Sequence, residues 1–251
     1  KHAALSPLSF IKRTALMFPD RDAVIYGSRK YSWSQLYKRS IQLASALSKK
    51  GVGKGDTVAI LAANTPEMIE AHFGIPMSGA ILNTINTRLD ANSITFILRH
   101  GNAKFLFIDP EYNSLVEKSL EEIDHNNRPI IIKCNDDEFI KPKKIINEID
   151  IEEIIKLGDE NIPIFWPENE WDSCALNYTS GTTGNPKGVM YHHRGAWLTA
   201  ISNQMIWSMK KHPIYLWTLP MFHCNGWCFP WTVTALAGTH ICLRRVEAKD
   251  I

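Results

Sequence analysis

Residues 178–189 read YTSGTTGNPKGV, so that twelve positions hold three glycines, a proline, four Ser or Thr residues and one lysine. CALNY (Cys174 to Tyr178) leads into this stretch and GVMYHH (Gly188 to His193) leads out, which makes it a loop between two β-like segments. Gly181, Gly184 and Gly188 can adopt positive φ and let backbone N–H groups converge without Cβ obstruction. Thr179, Ser180, Thr182 and Thr183 add hydroxyl donors, and Lys187 supplies a fixed positive charge. These are the groups that cradle a polyphosphate, with lysine as a point charge against phosphate oxygens. The spacing is not GxxxxGK[ST], because the fifth residue after Gly181 is Pro186, which disfavours a P-loop kinase or GTPase. The competing reading is a glycine-rich turn without a ligand. A run of small and hydroxyl residues closed by proline and lysine favours the ligand.

Outward from the loop, short β-branched runs alternate with amphipathic segments, the pattern of an α/β protein with a largely parallel sheet. Residues 23–33 predict a hairpin. Residues 34–50 predict a helix carrying Leu36, Leu43 and Leu47 on one stripe and ending at Gly51. A buried strand follows at 56–62. The next helix is capped by Asn64 or Thr65, with Pro66 in its first turn and Glu67 complementing the dipole. The rhythm continues with strand 80–86, helix 91–100 capped by Asp90, strand 104–109, helix 111–124 and strand 129–134. Residues 135–167 turn charged and weakly periodic, which predicts a surface excursion with one short helix near 149–157 and not a domain boundary.

The 251 residues are 45% hydrophobic, enough to fill a core, and 28 basic side chains nearly balance 26 acidic ones. No overall field favours nucleic acid or an anionic membrane. The longest apolar stretch, Phe222 to Leu243, is broken by His223, Asn225, Pro230 and His240, which argues against a membrane span. The opening residues lack the features of a signal peptide. Five cysteines without framework spacing suit a reducing compartment, and the expectation is a soluble cytoplasmic protein.

TSGTTGNPKG resembles the phosphate-loop motif of the adenylate-forming superfamily, whose members include acyl-CoA synthetases, luciferase and peptide-synthetase adenylation domains. PLSFIKRTALMFPDRDAVIYG is similar to the opening segment of that family, and NTPEMIEAHFGIPMSGAILNTINTRL to its following helix–strand region. PMFHCNGW is similar to the gate motif of fatty acyl-CoA synthetases. The resemblance implies the N-terminal portion of the large AMP-binding domain, α/β with sheets layered with helices, over residues 1–251, with the phosphate loop at 178–189 and the gate at 220–227. It implies an ATP-dependent ligase that converts a carboxylate to an acyl-adenylate and then to a coenzyme A thioester. The implied substrate is a short- or medium-chain aliphatic acid, such as a fatty acid or methylthiopropionate, which points to lipid metabolism. By position, Thr179, Ser180, Gly181, Thr182, Thr183, Gly184 and Lys187 would hold the β- and γ-phosphates, and Thr179 would also meet Mg²⁺.

Within LWTLPMFHCNGWCFPW (Leu216 to Trp231), the resemblance places His223 against the acyl-adenylate and makes Trp227 the gate of the acyl tunnel. Without it, His223 reads as a core histidine and Trp227 as packing. Cys224, Cys228 and His223 lack the spacing of a zinc site. His192 and His193 read as a strand end entering a helix at about 196–209. The adenine motif, the ribose-binding aspartate and the C-terminal lid domain with its lysine find no match in this sequence, so the expectation is a portion of a longer ligase, with a homodimer as one assembly the resemblance allows. Two alternatives stay open: a non-catalytic nucleotide- or partner-binding fragment, and another adenylating enzyme of the amino-acid or luciferase type.

Overall fold

The computed structural model describes residues 3–136, 138–140, 149–179 and 186–248. Helix α1 (Leu8–Met17) precedes the hairpin β1 (Asp22–Tyr26) and β2 (Arg29–Ser32), which runs into α2 (Trp33–Lys49). Ser32 and Gln35 close a capping box at that junction, which fixes where α2 begins. Four strands and three helices then alternate: β3 (Thr57–Leu61), α3 (Pro66–Met77), β4 (Ile81–Thr84), α4 (Ala91–His100), β5 (Ala103–Ile108), α5 (Asn113–Glu121) and β6 (Ile130–Lys133). After β7 (Ile149–Asp150) and α6 (Ile151–Leu157), the chain forms β8 (Ser173–Tyr178), β9 (Gly188–His192), α7 (His193–Ile206), β10 (Ile214–Leu216), α8 (Phe229–Ala235) and β11 (Thr239–Ile241).

Among the described residues the strands build two sheets. The larger has the order β7-β6-β5-β3-β4-β8-β9 and the smaller β10-β11-β1-β2. All neighbours in the large sheet are parallel except β8 and β9, whose antiparallel register opposes Tyr178 to Gly188 and Asn177 to Val189. The glycine-rich loop therefore closes a hairpin at the edge of a parallel sheet.

Alternation along the central strands divides the interior. Val58, Ile60, Phe105 and Phe107 face the core shared with α2 and α3, while Ala59, Leu61, Leu106 and Ile108 face α4 and α5. Every residue of α3 is buried. Its acids are paired: Arg29 reaches Glu67, and Arg39 reaches both Glu70 and Glu152. Burial is the largest influence on Glu70 and pushes its carboxyl up to about 7, against the opposing pull of Arg39.

Two local expectations change. The helix expected over 111–124 opens as a 3₁₀ turn at Pro110–Tyr112, where the Asp109 carboxylate accepts from Glu111 N–H at 3.0 Å, and α5 begins only at Asn113. Neither Asn64 nor Thr65 caps α3 through its side chain. Asn64 turns away to bind the chain after β10: its amide donates to the carbonyls of Trp217 (3.1 Å) and Leu219 (2.9 Å) and accepts from Met221 N–H (2.8 Å).

Candidate active site

The hairpin that carries the glycine-rich loop is stapled at its base. Thr179 N–H donates to Lys187 O at 3.0 Å, and Lys187 N–H donates to the Thr179 hydroxyl at 3.0 Å. Thr179 and Lys187 are both exposed, and the Lys187 ammonium has no ion pair among the described residues. The staple leaves the Lys187 charge available at the mouth of the loop. Ser180, Gly181, Thr182, Thr183 and Gly184 lie outside the described residues. Below the staple, Tyr178 is held by His100, whose Nδ1 lies 2.8 Å from the phenolic oxygen.

The segment 220–228 runs between β10 and α8. Cys224, Asn225, Gly226, Trp227 and Cys228 have φ of 47°, 44°, 55°, 56° and 63°, one continuous left-handed turn. Non-glycine residues in that conformation cost roughly 1–2 kcal/mol each, so the surroundings must hold them there. Side chains from three elements and the loop before α3 do so. Asn64 binds the approach, and the Thr84 hydroxyl at the end of β4 donates to Phe222 O at 2.9 Å. Asn177 of β8 accepts from Asn225 N–H at 3.2 Å and donates to the Asn225 side-chain oxygen. Asn203 of α7 donates to Trp227 O at 2.7 Å. Gly226 packs so closely that a Cβ would sit 3.0 Å from the Trp217 ring.

Two cavities meet at this turn. One, of 340 Å³, lies at the carboxyl ends of β4 and β8 and is lined by Thr84, Asn86, Asn177, Thr179, Phe222 and His223 among others. Carboxyl ends of parallel strands are where ligands of open α/β sheets bind. The other, of 290 Å³, lies between β9, α7 and the gate, with Met190, Ala196, Thr199, Asn203, Trp227 and Cys228 in its wall. Tyr191 and Cys224 line both. Thus Thr179 and His223, predicted separately, share one cavity, while Trp227 belongs to the second, its ring 6.4 Å from that of His223.

The asparagines and Tyr191 were not among the residues expected to matter. Their signal is present, since Asn177 and Asn225 interrupt apolar runs and Asn225 lies within PMFHCNGW, but nothing local shows that the two side chains meet. His192 and His193 are structural. His192 caps α7 through Nδ1, which accepts from Gly195 N–H at 2.9 Å. His193 is buried with Nδ1 2.9 Å from the Ser6 hydroxyl, and burial lowers its pKa to about 4. The five cysteines are free, and burial pushes the Cys228 thiol up to about 12. Among the described residues no grouping of three or more His, Cys, Asp or Glu could hold a metal, and no helix is long and apolar enough to cross a membrane.

Comparison with known proteins follows the same lines. Acetate/butyrate–CoA ligase of Arabidopsis thaliana, a peroxisomal protein, is 48% identical over 259 residues, covering 100% of this chain and 46% of the relative. Peroxisomal benzoate–CoA ligase of the same plant is 44% identical, covering 98% of this chain and 44% of the relative. The structure of o-succinylbenzoate CoA synthetase from Bacillus subtilis, solved with its acyl-adenylate intermediate, superimposes with a TM-score of 0.76 at 27% identity, covering 96% of this chain and 57% of that one. The chain spans about half the length of the curated relatives it matches. Both curated relatives are peroxisomal by name, which overturns the cytoplasmic placement expected from the cysteines. Free thiols separate reducing from oxidising surroundings, whereas an organelle is addressed by a short receptor-read signal that composition does not contain. A family model described as AMP-binding enzyme matches residues 11–251, and the chain belongs to that family.

Proposed function

We propose that this chain carries the phosphate and acyl sites of an ATP-dependent acyl-CoA ligase acting on a short- or medium-chain carboxylate. The observation that carries the reading is the pair of cavities sharing Tyr191 and Cys224, one beside Thr179 and His223 and the other an apolar recess behind Trp227. An acid seated in the recess presents its carboxylate at the shared wall, facing a nucleotide at the strand ends. A carboxylate oxygen then forms a bond to the α-phosphorus as the bond to the pyrophosphate oxygen breaks. The resulting acyl-adenylate is cleaved by the thiol of coenzyme A, whose sulfur bonds to the acyl carbon as AMP leaves and the thiol proton is lost.

The residues of this chain contribute position and charge. Lys187 offsets negative charge gathering on the departing phosphates. His223 presents its ring at the cavity where the new acyl–phosphate linkage lies, and Trp227 limits the bulk of the acid behind it. The Thr179 hydroxyl accepts one hydrogen bond from Lys187 and keeps a second lone pair, so it fits a single protein contact to Mg²⁺. Mg²⁺ commonly binds with few protein ligands beside substrate phosphates. When bound, the ion supplies charge neutralisation on the phosphates.

The test is ATP–pyrophosphate exchange by the full-length protein that carries this chain, with acetate, butyrate and benzoate supplied in turn. Exchange that depends on an added acid, with pyrophosphate incorporation lost in Lys187→Ala, is the expected result. No acid-dependent exchange with any of the three would remove this reading.

A further inference from the structure

We propose that Asn225, gripped by Asn177 and His72, is a positioning residue that fixes the wall between the two cavities and so decides how a carboxylate is aligned with the nucleotide. The inference rests on the ligase reading above. Its ground is a buried chain of hydrogen bonds whose donors and acceptors can be assigned. His72 Nδ1 lies 2.6 Å from the carbonyl of Met68, which can only accept, so Nδ1 bears the proton and Nε2 is left as an acceptor. Nε2 faces the Asn225 amide nitrogen at 3.5 Å. The Asn225 side-chain oxygen accepts from the Asn177 amide, and the Asn177 oxygen accepts in turn from Asn225 N–H. Asn225 and His72 are fully buried and Asn177 nearly so.

This grip acts at the second residue of the left-handed turn. Cys224, on one side of it, lines both cavities, and Trp227 and Cys228, on the other, line the acyl recess. Asparagine tolerates positive φ better than most residues, so it could be present for backbone reasons alone. The paired amide contacts to β8 and the imidazole contact to α3 go beyond what backbone tolerance needs. They register the turn against β8, which ends at Tyr178 just before Thr179, the entrance to the phosphate loop.

Asn225→Gly separates the two roles, since glycine keeps the left-handed conformation and loses the grip. In the full-length protein, the expected result is a KM for butyrate raised about 10-fold in the exchange assay with KM for ATP changed less than about 2-fold, the separation expected when one substrate is misaligned. Wild-type KM values for both substrates, or equal rises in both, would overturn the proposal. A second readout does not require ligase activity. Site-resolved mass spectrometry of iodoacetamide labelling should show Cys224, the first residue of the turn, reacting about 10-fold faster in Asn225→Gly than in wild type, as a loosened turn exposes it. An unchanged labelling rate would overturn the grip. If wild type shows no acid-dependent exchange while Cys224 labelling accelerates in the variant, the function fails and the positioning of the turn stands.

Discussion

Gly226 has φ of +55°, and a Cβ there would sit 3.0 Å from the Trp217 ring, so both its conformation and its surroundings favour glycine. Gly226→Ala is expected to destabilise the fold by about 1–3 kcal/mol, read as a lower urea midpoint at unchanged slope. Trp227 is the opposite case, 58% exposed and edge-on to His223. Trp227→Ala should leave stability within about 0.5 kcal/mol, as exposed substitutions do. It should also raise the kcat/KM ratio for benzoate over acetate by about 10-fold by removing bulk from the recess; an unchanged ratio would show that the ring does not bound the acid. The sequence made His223 and Trp227 visible through a short motif. It did not show that Cys224 and Tyr191 stand between two cavities, because that depends on a five-residue left-handed turn which neither propensity nor hydrophobic period encodes.

At the scale of elements, α3 tests how a charged helix survives complete burial. Glu70 is answered by Arg39, and Arg39 also reaches Glu152 at the start of α6, so one guanidinium joins three elements. Arg39→Met leaves Glu70 buried without its partner and should cost about 3–5 kcal/mol at pH 8. Because burial already favours the protonated form of Glu70, the loss should shrink at pH 5.5, where the carboxyl takes up its proton; urea melts at the two pH values check the sign. Most elements were legible from period and punctuation: the Asp90 cap, the Leu36, Leu43 and Leu47 stripe of α2 and the alternating strands each follow from side chains within a few residues, whereas the Ser32 capping box at the start of α2 was not read. The tertiary use of Asn64 was not, since a cap and a long-range clamp look alike before the partner strand is placed.

For the whole molecule, acid sensitivity follows from histidines kept neutral by burial. His72 and His193 are lowered to about 4 and His240 to about 3. Between about pH 6.5 and 4 the unfolded chain binds protons that the folded chain refuses, so stability is present above that window and falls as pH drops through it. Glu70, with its carboxyl raised to about 7, takes up a proton on the folded chain over much of the same range and offsets about one of the three histidines, so the net slope is up to about 3 kcal/mol per pH unit, measurable as a fall in urea midpoint between pH 6.5 and 5. His72→Gln should flatten part of it. The small sheet carries a different consequence. Its strand β1, near the start of the chain, pairs in parallel with β11, with Val24 opposite His240. During synthesis, the first hairpin must therefore leave the ribosome with one edge unsatisfied and wait for the whole stretch from Ser32 to Thr239 before that edge is covered. Contacts so distant along the chain slow folding, and an open edge in the meantime invites pairing with other nascent chains. This protein should accordingly depend on chaperones during translation more than its stability at equilibrium would suggest.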